Sequence, residues 1–247
     1  MRAVVLGASG QMGRALTAAL TERGVQVVPA HRGNGVDAYA GTGLDEAFTE
    51  ADVVVDCLNL NTQSAGRARD FFGVTSRNVV AAMNRAGVAR LVCLSIINAA
   101  SPTVNAKFGY YQGKAVQESV YREALGDRVT MVRSAQWFEL AGQLLSTVRL
   151  GPVAVVPHML SQPCSAADAA QAMADAVVQP SGDIQVAGPE SIDLCNLARR
   201  IADRDGAPRW VIGINFGGPA IRRGGLLPTG EVITTVTTAE TWLADST

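Results

Sequence analysis

Histidine, paired cysteine and clustered positive charge are scarce in this sequence, and each scarcity excludes a class of site. The chain has two histidines, His31 and His158, and four cysteines that stand far apart without a C-x-x-C pair. A structural zinc site needs about four such ligands at short spacing, so we predict no metal. Free cysteines commonly pack as small apolar side chains, so we expect all four to be reduced. They are Cys57, Cys93, Cys164 and Cys195.

Charged residues are also few, and apolar runs are short. The chain is 17% charged with a net charge of −1, and no segment concentrates lysine and arginine, which argues against a nucleic-acid partner. Runs such as 53–58 and 91–97 fall well short of the ~20 residues that span a bilayer, so we expect no membrane partner. Met1 and Arg2 lead directly into an apolar run without a signal-peptide pattern, which predicts a cytoplasmic protein.

What the sequence does contain is a regular alternation of short apolar runs and helical patterns. Its 247 residues, 48% of them hydrophobic, suffice for the core of one α/β domain, alone or with a small appendage. We predict strands at 3–6, 25–28, 52–56, 90–94 and 129–133. We predict helices at 11–23, 44–49, 69–86 and 109–125. This order predicts that residues 1–135 form a doubly wound, parallel, Rossmann-type α/β sheet.

The second half is less regular. Helices are predicted at 137–148, 165–178 and 192–203, with an apolar run at 153–156, a strand at 184–187 and a Gly/Pro-rich stretch at 213–228. Ser165 with Asp168 resembles a capping box, and we interpret Asp168 and Asp193 as helix-start residues. We expect residues 136–247 to complete the core and form a small substrate-binding lid, as one structural unit with the first half.

Three glycines follow the first strand. Gly7, Gly10 and Gly13 form G-x-x-G-x-x-G at the mouth of the first helix, which is typical of a turn that holds a dinucleotide pyrophosphate on helix N–H groups. A glycine-rich turn without a ligand is the alternative. The cofactor-binding residues predicted within this turn are Gly7, Ser9, Gly10, Gln11, Met12 and Gly13.

The end of the second strand bears on which dinucleotide binds. An NAD site usually carries an acid here for the ribose 2′-hydroxyl, whereas this chain has His31 and Arg32. A guanidinium suits a 2′-phosphate, so NADP(H) is favoured over NAD(H), although Arg32 as a solvated loop cation is the alternative. Asn59, after the third strand, is either close to the cofactor or an ordinary loop residue.

A tyrosine and a lysine share one face of the helix at 109–125. Tyr110 and Lys114 are four residues apart, so we predict that the ammonium lowers the phenol pKa and that the phenol exchanges a proton with a substrate oxygen. Lys114 is also a candidate for the cofactor ribose. Tyr111 is the rival phenol. Ser95, after the fourth strand, either hydrogen-bonds a substrate oxygen or is an ordinary strand-end serine.

Together these motifs resemble the short-chain dehydrogenase/reductase superfamily, in its atypical and extended branch close to the NmrA-like NAD(P)H-binding group. The resemblance rests on the glycine turn, 53–56, 78–87, 94–96 and 109–114, and covers nearly the whole chain. It implies that Tyr110 is the acid, that Lys114 binds the ribose and lowers the pKa of the phenol, and that Ser95 orients a carbonyl. A homodimer through the long helices is common in this superfamily.

Two departures from the family pattern concern the substrate. Ile96, Ile97 and Asn98 follow Ser95 where a run of hydroxyl residues is usual. After the next strand, Gln136, Trp137 and Phe138 replace a proline-containing segment, and they are candidates for the pocket wall, with core packing as the alternative for both aromatics. His158 either faces the substrate from the lid or is structural. Five apolar residues of the lid either line the substrate pocket or pack in the core: Leu140, Leu144, Leu145, Met159 and Leu160.

The sequence therefore favours an NADPH-dependent reductase that acts on a carbonyl of a small, largely apolar organic molecule, such as a secondary-metabolite ketone. One alternative is a non-catalytic NAD(P)-binding sensor of NmrA-like type. The other is a non-redox epimerase, dehydratase or cyclase on the same scaffold.

Overall fold

The computed structural model describes residues 1–180 and 182–245. The strands over these residues are β1 (Arg2–Leu6), β2 (Gln26–Ala30), β3 (Val53–Asp56), β4 (Arg90–Ile96), β5 (Val129–Ser134), β6 (Arg149–Leu150), β7 (Val153–Pro157), β8 (Leu160–Ser161), β9 (Ile184–Ala187), β10 (Ile192–Asp193), β11 (Trp210–Ile214) and β12 (Ile233–Thr234). The helices are α1 (Gln11–Glu22), α2 (Leu44–Phe48), α3 (Ala65–Ala86), α4 (Pro102–Asn105), α5 (Gly109–Leu125), α6 (Phe138–Thr147), α7 (Ala166–Val178), α8 (Leu194–Asp205), α9 (Pro219–Arg222) and α10 (Ala239–Asp245).

The main sheet has seven strands in the order β12-β9-β5-β4-β3-β1-β2. Every neighbouring pair runs parallel, which confirms the doubly wound sheet predicted from the sequence. Strand β1 lies between β2 and β3, so the order along the chain reverses at β1. In open α/β sheets, ligands bind at the carboxyl ends of the strands beside such a reversal.

Both faces of the main sheet are covered, which explains why its strands are almost continuously apolar. Val5 packs on one face with Leu16 of α1 and Met173 of α7. Val4 packs on the other face with Met83 of α3 and Tyr121 of α5. The alternation of side chains along β1 therefore serves two apolar clusters at once.

Residues after 135 contribute to two places. The main sheet is completed by β9 and β12, and α7 covers one of its faces. Most of the other elements after residue 135 build a second layer around a separate apolar cluster. This layer contains two small sheets, ordered β11-β7-β6 and β10-β8. It is joined to the main sheet by Asn98 Nδ2, which donates to the carbonyl oxygens of Gly225 (3.0 Å) and Leu227 (2.8 Å). The division at residue 135 stays a prediction.

Helix starts account for the main differences from the expected element bounds. α3 begins at Ala65, earlier than expected, because Ser64 caps it by accepting from the backbone N–H of Arg67. α8 begins at Leu194, with Asp193 as its cap, and Ser165 caps α7 by accepting from the N–H of Asp168, so both helix-start predictions are confirmed. Strands β6, β8, β10, β11 and β12 and the short helices α4, α9 and α10 were not predicted.

The four cysteines are buried and unpaired. Within the described ranges, no helix has the length and apolarity to cross a membrane. Over the same ranges, no three histidine, cysteine or acidic side chains are grouped as metal ligands would be.

Candidate functional site: a dinucleotide cavity at the glycine turn

The glycine turn has a shape that only glycine permits. Gly7 adopts φ +74°, and a Cβ on it would lie 2.8 Å from the carbonyl oxygen of Cys57. A Cβ on Gly13 would collide with the Gly7 carbonyl oxygen. Gly10 is the cap of α1 and offers no side chain to it, so the first N–H groups of the helix stay available to an anion. The turn thus fits a pyrophosphate.

A cavity of about 470 Å³ opens from this turn toward the ends of β2 and β3. Its volume is in the range of small-molecule sites, ~300–1,000 Å³. Of the predicted cofactor residues, the cavity brings together Gly7, Ser9, Gly10, His31, Arg32 and Asn59. Residues that sequence reasoning missed also line it, among them Tyr39, Arg67, Asp70 and Phe71.

The other predicted turn residues lie outside this lining. The Met12 side chain is buried in the core beneath α1. Gln11 Oε1 accepts from Gln143 Nε2 of α6 at 3.2 Å, which places α6 beside the glycine turn.

The charged residues that line the cavity are two arginines and two aspartates. Arg32 and Arg67 are both exposed, and neither guanidinium has a hydrogen-bond or ion-pair partner among the described residues. The nearby carboxylates are engaged: Asp37 accepts from the backbone N–H of Tyr39 at 2.9 Å, and Asp70 accepts from the Tyr39 hydroxyl at 2.6 Å. That bond to Asp70 raises the Tyr39 pKa. Of the lining residues that sequence reasoning missed, Arg67 could have been found, because it lies in the first turn of the helix that follows β3.

Tyr110 is linked to the cavity through Asn59, which lines it. Its hydroxyl donates to Asn59 Oδ1 at 2.8 Å, and its ring packs edge-on against Phe72, with centroids 5.8 Å apart. Burial raises the pKa of the phenol. This corrects the expected direction, because we predicted that Lys114 would lower that pKa.

Lys114 is turned into the interior, and only 2% of it is exposed. Its Nζ donates to the carbonyl oxygen of Leu94 at 2.9 Å and to Gln117 Oε1 at 2.8 Å, and it lies 4.6 Å from the centre of the Phe72 ring. Gln117 in turn donates to the buried Asp56 at 2.7 Å. The ammonium is therefore held among buried groups rather than at the cavity, and its role as a ribose ligand stays a prediction.

Ser95 also lies apart from the cavity. It is buried, and its hydroxyl donates to Glu118 Oε1 of α5 at 2.5 Å. Glu118 is paired with Arg133 at 2.7 Å. β4 turns this side chain toward α5, and the role of Ser95 in orienting a substrate stays a prediction.

The pocket residues predicted after β5 make hydrogen bonds and packing contacts within the protein. Gln136 is buried and joins Tyr111, whose hydroxyl accepts from its Nε2 at 2.5 Å, to Ser161, which donates to its Oε1. Trp137 donates to Ser134 Oγ at 2.9 Å. Phe138 is buried in the lid cluster, so the core alternative holds for Phe138.

His158 has a structural position too. Its Nδ1 lies 2.7 Å from Asp193 Oδ2, and its ring is packed so closely on Gly213 that a Cβ there would collide with Nε2. Asp193 also caps α8. The structural alternative therefore holds for His158.

Apolar side chains that are only partly buried lie at the margin of the lid cluster together with Tyr110. Among them are Ile96, Leu140 and Leu144. Leu145 and Met159 are buried inside that cluster. Some of the predicted lid residues therefore belong to the core, and others lie at its margin.

The parallel sheet, the glycine turn and the cavity beside it define a Rossmann-type dinucleotide-binding protein. Residues 7–180 match the family described as NAD(P)H-binding, and the chain belongs to that family. No curated protein matches the chain in sequence.

Solved structures with this fold include relatives that hold either dinucleotide. The dTDP-4-dehydrorhamnose reductase of Bacillus anthracis, in complex with NADP, has a TM-score of 0.75 at 14% identity, covering 99% of this chain and 97% of its own. A short-chain dehydrogenase/reductase superfamily protein of Agrobacterium tumefaciens with bound NAD has a TM-score of 0.68 at 15% identity, covering 100% and 96%. The NADPH-dependent quinone oxidoreductase QOR2 of Escherichia coli, complexed with NADPH, has a TM-score of 0.63 at 19% identity, covering 87% and 78%.

These likenesses confirm the Rossmann-type fold that the sequence predicted. At such identities they bear on the fold and leave the substrate open.

Proposed function

We propose that this chain is an NADPH-dependent reductase that transfers hydride to a carbonyl of a small, largely apolar organic molecule. The observation that carries the proposal is the hydrogen bond from the Tyr110 hydroxyl to Asn59, which lines the dinucleotide cavity. This bond supports the proposal because it joins a phenol, a possible proton donor, to a residue that lines the cavity.

Tyr110 supplies the proton and Asn59 positions it. Burial raises the phenol pKa, so the hydroxyl keeps its proton near neutral pH and acts as an acid toward the oxygen of a reduced carbonyl. Asn59 accepts from the phenol through Oδ1, and its amide N–H is a donor for the phenolate after transfer. When bound, the reduced nicotinamide supplies the hydride. Ile96, Leu140 and Leu144 offer the apolar surface for the substrate.

The choice of NADPH over NADH rests on charge. No acidic residue stands at the end of β2. Arg32 and Arg67 line the cavity, and their guanidinium groups have no partner among the described residues. A guanidinium fork matches a phosphate dianion better than a ribose hydroxyl.

The deciding experiment compares Tyr110→Phe with Tyr111→Phe on a panel of ketones and quinones, following NADPH oxidation. Tyr110→Phe should lower kcat by ~10²- to 10⁴-fold and leave the NADPH Kd unchanged. Tyr111→Phe removes the same hydroxyl one residue along and should retain activity. Loss of activity in Tyr111→Phe alone would make Tyr111 the acid and contradict the proposal.

The pH dependence of kcat/KM distinguishes a Tyr110 whose pKa is raised by burial from the Tyr110 of the sequence prediction, whose pKa is lowered by Lys114. Because the phenol pKa is raised above its reference of ~10, kcat/KM for reduction should stay level up to about pH 10. A fall that begins near neutral pH would mean that the pKa is lowered and would contradict the acid proposed here.

A non-catalytic NAD(P)-binding sensor is the second candidate, and the placement of Lys114 and Ser95 favours it. Both are engaged in buried hydrogen bonds away from the cavity, and a sensor needs neither. Tight NADPH binding by the wild type with no turnover on the panel would support the sensor over the reductase.

A further inference from the structure

The dinucleotide cavity is lined by charges of both signs: Asp37 and Asp70 lie in the same wall as Arg32 and Arg67. A carboxylate that pairs with an arginine takes up the donors that a phosphate would use, and an unpaired carboxylate beside a phosphate repels it. A preference for the 2′-phosphate of NADPH therefore depends on where these two carboxylates are held.

Asp70 is placed where it could neutralise Arg67. The two residues stand three apart on α3, and side chains at that spacing are neighbours on a helix surface that commonly form an ion pair. Among the described residues no ion pair joins them, and the Arg67 guanidinium has no partner there. Asp70 Oδ2 instead accepts from the Tyr39 hydroxyl at 2.6 Å. A hydrogen bond from another segment thus engages the carboxylate while Arg67 stays unpaired.

Tyr39 is fixed in the position from which it makes this bond. Its ring stacks on that of Phe71, with 5.9 Å between the centroids and 11° between the planes. Asn78 of α3 holds the backbone around it, because its Nδ2 donates to the carbonyl oxygens of Ala38 at 2.9 Å and of Tyr39 at 3.0 Å. The ring is therefore placed by stacking and by the backbone, so the loss of its hydroxyl should leave it where it is.

The other aspartate of the wall is engaged by the same segment. Asp37 Oδ1 accepts from the backbone N–H groups of Tyr39 at 2.9 Å and of Ala40 at 3.1 Å. Asp37 and Thr42 also exchange two backbone hydrogen bonds of 3.0 Å, which close the segment into a turn. Residues 37–42 thus engage both carboxylates of the cavity wall.

We propose that Tyr39 determines the specificity for NADPH as a positioning residue, because its hydroxyl holds Asp70 and so keeps the Arg67 guanidinium available to the 2′-phosphate. This role rests on the proposed preference for NADPH and is independent of the substrate and of the proton donor. A phenol suits it, since its hydroxyl donates to a carboxylate without adding a charge to the wall. Tyr39 acts through Asp70 and has no need to touch the cofactor.

The test breaks the bond between Tyr39 and Asp70 from each end in turn. Tyr39→Phe removes the hydroxyl and leaves the carboxylate charged, so that Asp70 pairs with Arg67. Asp70→Ala breaks the same bond but removes the charge, and it is the matched control. Fluorescence titration of the full chain with NADPH and with NADH measures both Kd values for each variant.

Only Tyr39→Phe should weaken NADPH binding. Its NADPH Kd should rise by ~3- to 5-fold, the scale of an exposed ion pair, and its NADH Kd should change by less than ~2-fold. Asp70→Ala should leave the NADPH Kd no higher than that of the wild type. The double variant Tyr39→Phe/Asp70→Ala should return to the wild-type value, because no carboxylate remains to pair with Arg67.

A background that lacks the arginine gives an independent check. In Arg67→Ala, adding Tyr39→Phe should change the NADPH Kd by less than ~2-fold, because the guanidinium that Asp70 would take up is already gone. A further loss of the size seen in the wild-type background would overturn the proposal, since Tyr39 would then act by another route.

Two results would separate a failure of this role from a failure of the proposed function. If the wild type prefers NADPH and Tyr39→Phe keeps that preference in full, the role of Tyr39 is overturned and the proposed function stands. If the wild type binds both dinucleotides equally, the proposed preference fails and the role of Tyr39 fails with it. Equal weakening by Tyr39→Phe and Asp70→Ala would show that the bond serves only to hold the loop, which also contradicts the proposal. Tyr39 is 45% exposed, and an unchanged thermal midpoint checks that each variant is folded.

Discussion

At the scale of single residues, the site's chemistry depends on which polar groups are already satisfied. Lys114 has two hydrogen-bond acceptors and an aromatic face within the interior, and Ser95 has Glu118. The guanidinium groups of Arg32 and Arg67 have no such partners in the described ranges. Unpaired donors beside a cavity are the groups a charged ligand would use.

Arg32→Ala and Arg67→Ala should therefore weaken NADPH binding selectively. A hydrogen bond to a charged group contributes ~1.5–3 kcal/mol, so each variant should raise the NADPH Kd by ~10- to 100-fold, with a smaller change for NADH. Fluorescence titration with both dinucleotides measures this. Arg69→Ala is the control, because Arg69 is on the same helix but donates to Gln112 at 2.6 Å. Equal weakening of NADPH and NADH would show that the arginines do not read the 2′-phosphate.

At the scale of elements, one carboxylate joins β9 to its neighbours. Asp183, just before β9, accepts from the backbone N–H of Met131 in β5 at 3.0 Å and pairs with Arg122 at 2.6 Å and Arg133 at 3.1 Å. Burial alone would raise the pKa of this carboxyl, but the bond from Met131 and the two arginines hold it below its usual value.

Asp183→Asn should lower the free energy of unfolding by about 1–2 kcal/mol at neutral pH, within the range for partly exposed, charge-assisted bonds. Because the folded pKa lies below the unfolded one, the stabilisation is present above pH ~4 and is lost as the pH falls through the folded pKa. Urea unfolding at several pH values should show the two proteins converge in acid. Asp205→Asn, at an exposed pair with Arg204, should change little. A difference that persists unchanged in acid would contradict this account.

The elements themselves were largely predictable, whereas the partners of the site residues were not. The helix at 109–125 has the predicted bounds. The direction of Lys114 depends on Leu94 and Gln117, and that of Ser95 on Glu118, 23 residues away. Spacing along one helix places two side chains on a face but does not say which other element covers that face. The glycine turn was predictable because its geometry is set within seven residues of chain, 7–13.

At the scale of the whole molecule, Asn98 supplies two of the hydrogen bonds that join the sheet to the lid. This residue follows β4, where strands end at the ligand-binding edge, and it adopts φ +59°. Its amide holds the backbone of Gly225 and Leu227 from the segment that follows α9. The position of that segment over the sheet edge thus depends on a side chain whose backbone is itself in a left-handed conformation.

Replacing Asn98 should loosen the lid without unfolding the sheet. Asn98→Gly keeps the left-handed backbone and removes both bonds, each contributing ~1 kcal/mol, so amide exchange over 219–228 should quicken by about tenfold or more. Asn98→Ala adds the strain of a non-glycine residue without a local hydrogen bond, and should quicken it further. Hydrogen exchange by mass spectrometry reads both, with β1 and α1 as internal controls that should not change. If exchange in β1 and α1 rose in parallel with that of the lid, the two layers would open as one unit, and Asn98 would be a determinant of global stability instead of lid closure.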